Sequence, residues 1–176
     1  MGNVRARDYF VGNEDLLDVV QRERRNIYES RLLLLQRALT TKAPGRVLSI
    51  GAGAGTYEYD LEHRFNIHID VSLEPSAGFV ASARGKGLTV IQAGAQDYDY
   101  PSEGFDTIFY NGSGFGFIED EELEPTFRRN VNALRPGGRL ILQDVPEESA
   151  LGILLKVIQE YPQIAENKAY RDLLDG

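Results

Sequence analysis

At 176 residues, 42% apolar and 26% charged, the chain has the size and balance of one globular domain, and no apolar run reaches the ~20 residues of a membrane span. The formal charge of −8 disfavours an extended nucleic-acid interface, because phosphate binding depends on clustered Lys and Arg. The absence of cysteine excludes disulfides, a thiolate nucleophile and cysteine-based zinc sites, and no metal site is expected.

Helical and strand-like patterns alternate along the chain, beginning with a helical stretch. Residues 14–41 carry apolar side chains three and four residues apart, which predicts one or two amphipathic helices that end at Pro44 and Gly45. The first ten residues contain no apolar export segment, so we expect a cytoplasmic protein. Further helices are predicted at residues 57–64, 119–134, 147–160 and 163–174.

Short apolar runs between these helices predict the strands of a sheet. Runs of this kind are typical of strands that are buried on both faces. Strands that alternate with helices form a parallel sheet with right-handed crossovers. We therefore expect an α/β fold, a doubly wound, mostly parallel Rossmann-like sheet of about five strands with helices on both faces. The predicted strands are residues 47–50, 67–73, 88–91, 107–110 and 139–145.

The turn after the first strand carries the main chemical signal. It reads Gly51-Ala52-Gly53-Ala54-Gly55, and a turn without Cβ atoms lets the backbone approach a ligand outside the carboxyl ends of the strands. Glu74 is predicted at the end of the second strand, 19 residues beyond Gly55, where an acid can accept hydrogen bonds from both ribose hydroxyls of a nucleoside. Glycines also serve tight turns, and strand-end glutamates are often simply solvated, so both interpretations stay open at this point.

The glycine spacing narrows the choice of nucleoside cofactor. The dinucleotide fingerprint is G-x-G-x-x-G, whereas this chain has glycine at positions 51, 53 and 55 followed by Thr56, which disfavours a nicotinamide-dependent oxidoreductase. The segment VLSIGAGAG instead resembles the first motif of the class I S-adenosylmethionine-dependent methyltransferases, in particular their small-molecule group with a single Rossmann-like domain. Phe105-Asp106 and the segment NALRPGGRL at residues 132–140 resemble later parts of that family in the same order.

The resemblance implies a site for S-adenosyl-L-methionine, with S-adenosyl-L-homocysteine as the product. In such a site the glycine-turn backbone faces the amino-acid part of the cofactor, the acid after the second strand holds the ribose, and the proline after it covers the adenine. The loop after the third strand meets the adenine edge, and the residues after the fourth strand border the methionyl end and the substrate mouth. By this correspondence the cofactor-binding residues are Gly51, Ala52, Gly53, Gly55, Glu74, Pro75, Ala95, Gln96, Asn111 and Gly112.

Two positions depart from the family pattern. Ser49 stands two residues before the first glycine, where the family commonly has an acid that orients the amino end of the cofactor. Gly94 stands where many members have an aspartate that binds the adenine amino group, so Gln96 or Asp97 would have to substitute. These departures leave a non-catalytic, methyltransferase-like binding or regulatory protein as the alternative to an enzyme.

The reaction implied by the resemblance is methyl transfer to a small-molecule acceptor by in-line displacement. The sulfonium of the cofactor is already an electrophile, so alignment of the acceptor supplies much of the catalysis without an acid or base. Asp144, at the end of the predicted fifth strand, is a candidate base for a phenol or ammonium acceptor, although strand-end acids are more often helix caps.

The whole chain, residues 1–176, is predicted to be a single S-adenosylmethionine-binding domain. Residues 1–44 would form an N-terminal helical cap, residues 45–145 the cofactor-binding core, and residues 146–176 two helices in place of the last two strands of the family. Without those strands the fifth strand is an open edge unless the tail helices or a second copy covers it, so a homodimer is a further hypothesis. No nucleic-acid or membrane partner is expected.

Overall fold

The strands and helices of the computed structural model alternate in the predicted order, except that a loop without a helix joins the third strand to the fourth. The structure describes residues 25–111, 115 and 118–143. The predicted tail helices and the residues before Arg25 lie outside these ranges. The elements are α1 (Arg25–Thr40), β1 (Val47–Ile50), α2 (Thr56–Phe65), β2 (Val71–Glu74), α3 (Ala77–Gly85), β3 (Val90–Gln92), β4 (Phe105–Tyr110), α4 (Asp120–Ala133) and β5 (Leu134–Leu142).

The five strands form one parallel sheet in the order β3-β2-β1-β4-β5. The chain runs outward from β1 to β3, then returns to the other side of β1 and runs outward again through β4 and β5. The order therefore reverses between β1 and β4, and ligands of open α/β sheets bind in the crevice outside the carboxyl ends of the strands at such a switch point. The predicted α/β fold is confirmed.

Helices cover both faces of the sheet because its central strands are apolar on both sides. All four residues of β1 are buried. On one face α1 and α2 pack against Val47 and Phe109, and the buried residues of α1 recur every three or four positions, which is the helical period. On the other face α4 packs against Leu48, Ile108 and Tyr110. The buried side of α1 consists of Tyr28, Leu32, Leu35 and Leu39.

Strand β2 begins at Val71, four residues later than the sequence pattern predicts. Ile67 and Ile69 are buried as expected, but they pack against the cluster around α1 and α2 from a loop before the strand. A carboxylate holds the backbone of this loop, since Glu62 Oε1 accepts a hydrogen bond from the Ile69 amide at 3.0 Å. Ile67 and Ile69 are therefore apolar because they pack in a loop. The sequence pattern did not distinguish such buried loop residues from residues of a hydrogen-bonded strand.

Strand β5 begins five residues earlier than predicted, so Pro136-Gly137-Gly138 lies inside it. The register moves from Phe105 opposite Leu134 to Thr107 opposite Arg139, so β5 has a wide irregularity where β4 advances by only two residues. A bulge takes up the extra residues, and β5 is an edge of the described sheet, where a proline costs no ladder hydrogen bond. The breaker sequence therefore bends the strand without ending it.

Arg139 joins this last described strand to the C-terminus of α1. Its guanidinium donates hydrogen bonds to the backbone oxygens of Ala38, Leu39 and Lys42 at 3.0, 3.1 and 3.2 Å. The carbonyls of Ala38 and Leu39 are among those that a helix end leaves without intrahelical partners, and a cation is favourable there.

Of the helices in the described ranges, none is long and apolar enough to cross a membrane.

Candidate functional site

The glycine turn follows β1 and is fixed to the end of β2. The amides of Gly51 and Ala52 donate to the carbonyl oxygen of Leu73 at 2.9 and 3.1 Å. Gly51 and Gly53 have φ angles of 77° and 55°, a region that side chains disfavour. Both glycines are partly exposed, whereas Ala52 and Ala54 between and after them are buried. The turn therefore presents glycine backbone at the carboxyl edge of the sheet.

Gly55 has a different role from the two glycines before it. It is the N-cap of α2, with φ 74°, and a Cβ added there would overlap Leu88 Cδ1 and lie 2.8 Å from Ala83 Cβ. The missing side chain lets α2 approach α3 and the segment after it. Gly55 thus shapes the turn through helix packing, whereas the partly exposed backbone of the turn is that of Gly51 and Gly53.

Glu74 ends β2 and reaches back to the glycine turn. Its Oε2 accepts a hydrogen bond from the Gly53 amide at 2.8 Å, and its Oε1 accepts one from the Ser76 amide at 2.9 Å. Burial raises the pKa of Glu74, and the two amide hydrogen bonds oppose that rise. Each carboxylate oxygen has further acceptor capacity, so the carboxylate can also receive hydroxyl groups.

The residues implied for the adenine lie around the end of β3. Pro75 is exposed directly after Glu74, and the Ala93 amide donates to the carbonyl oxygen of Glu74 at 3.2 Å, which joins the two strand ends. Ala95 is buried. A Cβ on Gly94 would lie 2.8 Å from Asp97 Oδ2 and 3.0 Å from Gln96 Oε1, so these polar groups occupy the space beside Gly94.

A second buried acid, Glu58, lies under the other end of the turn and was not among the predicted site residues. It is in the first turn of α2 and is completely buried. Its Oε1 accepts hydrogen bonds from Ser49 Oγ at 2.6 Å and from Asn111 Nδ2 at 3.4 Å. Burial raises the pKa of Glu58 to about 7, against the lowering effect of these hydrogen bonds.

Two oxygens of this group have no hydrogen-bond partner among the described residues. They are Glu58 Oε2 and Asn111 Oδ1, and both are buried. The Asn111 amide donates to the Ile50 carbonyl oxygen at 3.1 Å, which fixes the residue where β4 ends beside β1. The signal for Glu58 in the sequence was a combination: a serine at position 49 and an acid in the first turn of the following helix.

The structure brings the glycine turn and Glu74 into direct contact, and places Asn111 at the same edge of the sheet. Gly112 and Asp144 lie outside the described residues.

An open cleft of about 830 Å³ lies between the loop after β3 and the C-terminal half of α4, lined by Gln96, Arg129 and Asn132 among others. It shares Gln96 with the predicted site but none of the glycine turn, so the switch-point crevice is the better candidate. The described ranges contain no group of three metal-ligating side chains.

The fold and the site define an α/β domain with a glycine-rich turn and a strand-end acid at the switch point of a parallel sheet. Residues 47–138, more than half of the chain, match the methyltransferase domain family. The chain belongs to this family, which confirms the resemblance drawn from VLSIGAGAG. No curated protein matches the sequence.

Solved structures of methyltransferases share the fold. An S-adenosylmethionine-dependent methyltransferase from Thermotoga maritima, described as a possible histamine N-methyltransferase, is 26% identical with a TM-score of 0.65, and the match covers 86% of this chain and 66% of that one. A sugar N-methyltransferase from Streptoalloteichus sp. is 22% identical, with a TM-score of 0.60 and coverage of 73% and 53%. An S-adenosylmethionine-bound amino pentose methyltransferase from Micromonospora echinaspora is 22% identical, with a TM-score of 0.53 and coverage of 75% and 50%. The chain spans two thirds or less of each of these proteins.

Proposed function

We propose that the protein binds S-adenosylmethionine in the crevice at the carboxyl ends of β1, β2 and β4 and transfers its methyl group to a small-molecule acceptor. The observation that carries the proposal is the hydrogen bond between Glu74 Oε2 and the Gly53 amide. It places a buried carboxylate with spare acceptor capacity against a turn of partly exposed glycine backbone, which suits a ribose and the chain attached to it.

The residues around the crevice fit the parts of this cofactor. Glu74 receives the ribose hydroxyls, and the exposed ring of Pro75 covers one face of the adenine. Gln96 and Asp97, whose polar ends lie beside Gly94, meet the adenine amino group. When bound, the cofactor supplies a methyl group on an electrophilic sulfonium. The protein's part is to hold the sulfonium and an acceptor in line, so a dedicated base is optional, and Asp144 stays a prediction.

A small amine is the first acceptor class to test. The structural relatives include a possible histamine N-methyltransferase, a sugar N-methyltransferase and an amino pentose methyltransferase. The formal charge of −8 gives this chain an acidic balance, which attracts cationic ligands at long range. An ammonium acceptor must lose a proton before its nitrogen attacks the methyl group, and Asp144 is the predicted base for that step.

The test is calorimetric titration with S-adenosylmethionine and S-adenosylhomocysteine, with Glu74→Ala beside the wild type. We expect micromolar binding by the wild type and roughly 10- to 100-fold weaker binding by the variant, because charge-assisted hydrogen bonds to the ribose are lost. Glu124→Ala is the matched control, since it removes the same charge from an exposed ion pair with Arg128 on α4. Its affinity should equal that of the wild type.

A wild type that binds neither ligand would reject the cofactor and favour the alternative of a non-catalytic partner. Binding that Glu74→Ala leaves intact would reject the site.

Within the proposal, residues 45–145 hold the cofactor and residues 1–44 and 146–176 flank this core. A homodimer through the edge of β5, where Leu142 is 47% exposed, is tested by light scattering, and a monomer would remove it. The cytoplasmic location and the lack of a nucleic-acid partner stay predictions.

A further inference from the structure

Two unpartnered acceptor oxygens lie at the switch point, where the proposed cofactor site has its methionyl end. Glu58 Oε2 and Asn111 Oδ1 are buried without hydrogen-bond partners among the described residues, and the two side chains are joined through Glu58 Oε1. Ser49 donates to the same Oε1. Both donors in the group are thus directed to one oxygen, which leaves the rest of the acceptor capacity free.

Unpartnered buried acceptors require a donor, and a buried carboxylate also requires positive charge. The described groups that set the pKa of Glu58 are Ser49, Asn111, its own backbone amide and Glu74, and none of them is a cation. The side chains facing it from β1 and β4 are neutral, and Glu74 on β2 is a like charge. The cation Arg31 on α1 acts on the neighbouring Tyr57 through a hydrogen bond and is not among the groups that shift the pKa of Glu58. When Glu58 is ionised, a cationic donor would supply both the hydrogen bond and the charge that this group lacks among the described residues.

A primary ammonium group has the chemistry that this arrangement lacks. It carries one positive charge and three donors, so one group can serve both Glu58 Oε2 and Asn111 Oδ1. S-adenosylmethionine carries such an ammonium at the end of its methionyl chain, opposite the ribose that Glu74 is placed to hold. Glu58 is hydrogen-bonded to Ser49 before the glycine turn and Glu74 to Gly53 in its middle, so the two acids contact different points along the segment that an extended ligand would follow.

We propose that Glu58 and Asn111 bind the α-ammonium group of the cofactor, so that the first turn of α2 supplies the acid that β1 lacks at Ser49. Ser49 then positions the carboxylate through its 2.6 Å hydrogen bond and does not contact the ligand. The inference rests on the proposed function and assigns one part of that site. The rival is a purely structural Glu58 that closes the first turn of α2.

The test compares S-adenosylhomocysteine with 5′-methylthioadenosine, which has the adenosine and the sulfur but no amino-acid part. Glu58→Gln keeps the size of the side chain and an acceptor for Ser49. We expect it to weaken S-adenosylhomocysteine binding roughly 30-fold, because it removes one partner of a buried charge pair, and to change methylthioadenosine binding less than about twofold. Glu74→Gln is the matched control, because it should weaken both ligands by a similar factor.

A second measurement needs no variant. Ammonium binding requires the ionised form of Glu58, whose pKa in the free protein is about 7. The ratio of the affinities for S-adenosylhomocysteine and methylthioadenosine should therefore rise about tenfold from pH 6 to pH 8. Titration of Glu74 acts on both ligands through the adenosine part that they share, so its direct effect cancels in this ratio. In Glu58→Gln the ratio should be flat.

The outcomes separate the two proposals. A wild type that binds both ligands with a flat affinity ratio overturns this inference and leaves the proposed function intact. Equal weakening of both ligands by Glu58→Gln also overturns it and shows that Glu58 is structural. A wild type that binds neither ligand overturns the proposed function, and this inference with it.

Discussion

Two buried acids stand under the same glycine turn, and their surroundings differ. Glu74 has each carboxylate oxygen on a backbone amide, one from Gly53 and one from Ser76. Glu58 receives its two side-chain donors on a single oxygen and leaves the other without a described partner. The hydrogen bonds of Glu74 come from amides in the segments that follow β1 and β2. Those of Glu58 form only when α2 is packed on the sheet. Glu74 is therefore held by the backbone of the turn, whereas Glu58 retains an acceptor oxygen without a partner among the described residues.

The largest effect is expected from Gly55→Ala, which disrupts the surroundings of both Glu74 and Glu58. Gly55 ends the turn that Glu74 holds and begins the helix that carries Glu58. Alanine there would keep a φ of 74° and overlap Leu88 Cδ1. Left-handed strain and overpacking together should lower the free energy of unfolding by about 4 kcal/mol, measured by urea denaturation.

Gly85→Ala is the matched control for that change. Gly85 ends α3, and a Cβ added there meets nothing within 4 Å. Alanine is favoured over glycine in a helix, so this variant should be as stable as the wild type or more stable by up to about 1 kcal/mol. Equal stability of the two variants would show that the space behind Gly55 is not limiting.

The next largest effect concerns the pH dependence of the free energy of unfolding. Glu58 contributes to this dependence, and Glu58→Gln removes its contribution. The folded carboxyl keeps its proton up to about pH 7, whereas the unfolded one loses it near the ordinary value of 4.5. The folded state therefore binds more protons between these values, and the free energy of unfolding falls as the pH rises through this window. From pH 4.5 to pH 8 the wild type should lose about 3 kcal/mol more than Glu58→Gln.

Denaturation of both proteins across this pH range in the absence of ligand measures the difference. Glu74 also has a raised pKa and contributes in the same direction, but it is present in both proteins and cancels. Parallel curves for the wild type and Glu58→Gln would mean that the pKa of Glu58 is not raised in the folded protein. The contrast between the two acids would then disappear.

The smallest effect is expected from Tyr28→Phe, which loosens the docking of α2 without touching the turn. The Tyr28 hydroxyl donates to Asp60 Oδ2 at 2.9 Å and lies 3.2 Å from the Thr56 carbonyl oxygen, so α1 holds the start of α2. Losing these contacts should cost about 1 kcal/mol of unfolding free energy. Tyr59→Phe on the exposed side of α2 is the control, and a loss as large in that variant would contradict the assignment.

The turn and Glu74 could be predicted from the sequence because both depend on local order along the chain. Strand β1 was predicted with its observed bounds, and the helix after it to within one residue at each end. A strand, a run of glycines, a helix and an acid at the next strand end form one βαβ unit, so their spacing in sequence fixes their meeting in space.

Glu58 could not be predicted in the same way, because its environment depends on contacts between elements. Sequence shows an acid near a helix start, which is commonly a solvated charge favoured by the helix dipole. Its burial follows from the packing of α2 over Ser49 and from the position of Asn111 after β4. The early start of β5 was missed for a related reason, since only its place at the edge of the described sheet tolerates Pro136.

The clamp of Arg139 on the end of α1 has a consequence for the order in which the protein is made. The carbonyl oxygens that accept its hydrogen bonds lie 97 to 101 residues earlier in the chain. At ribosomal rates of roughly 5 to 20 residues per second, α1 emerges about 5 to 20 s before the residue that caps it. The helix that anchors α2, and with it Glu58, is thus among the first described parts to be synthesised and among the last to be completed.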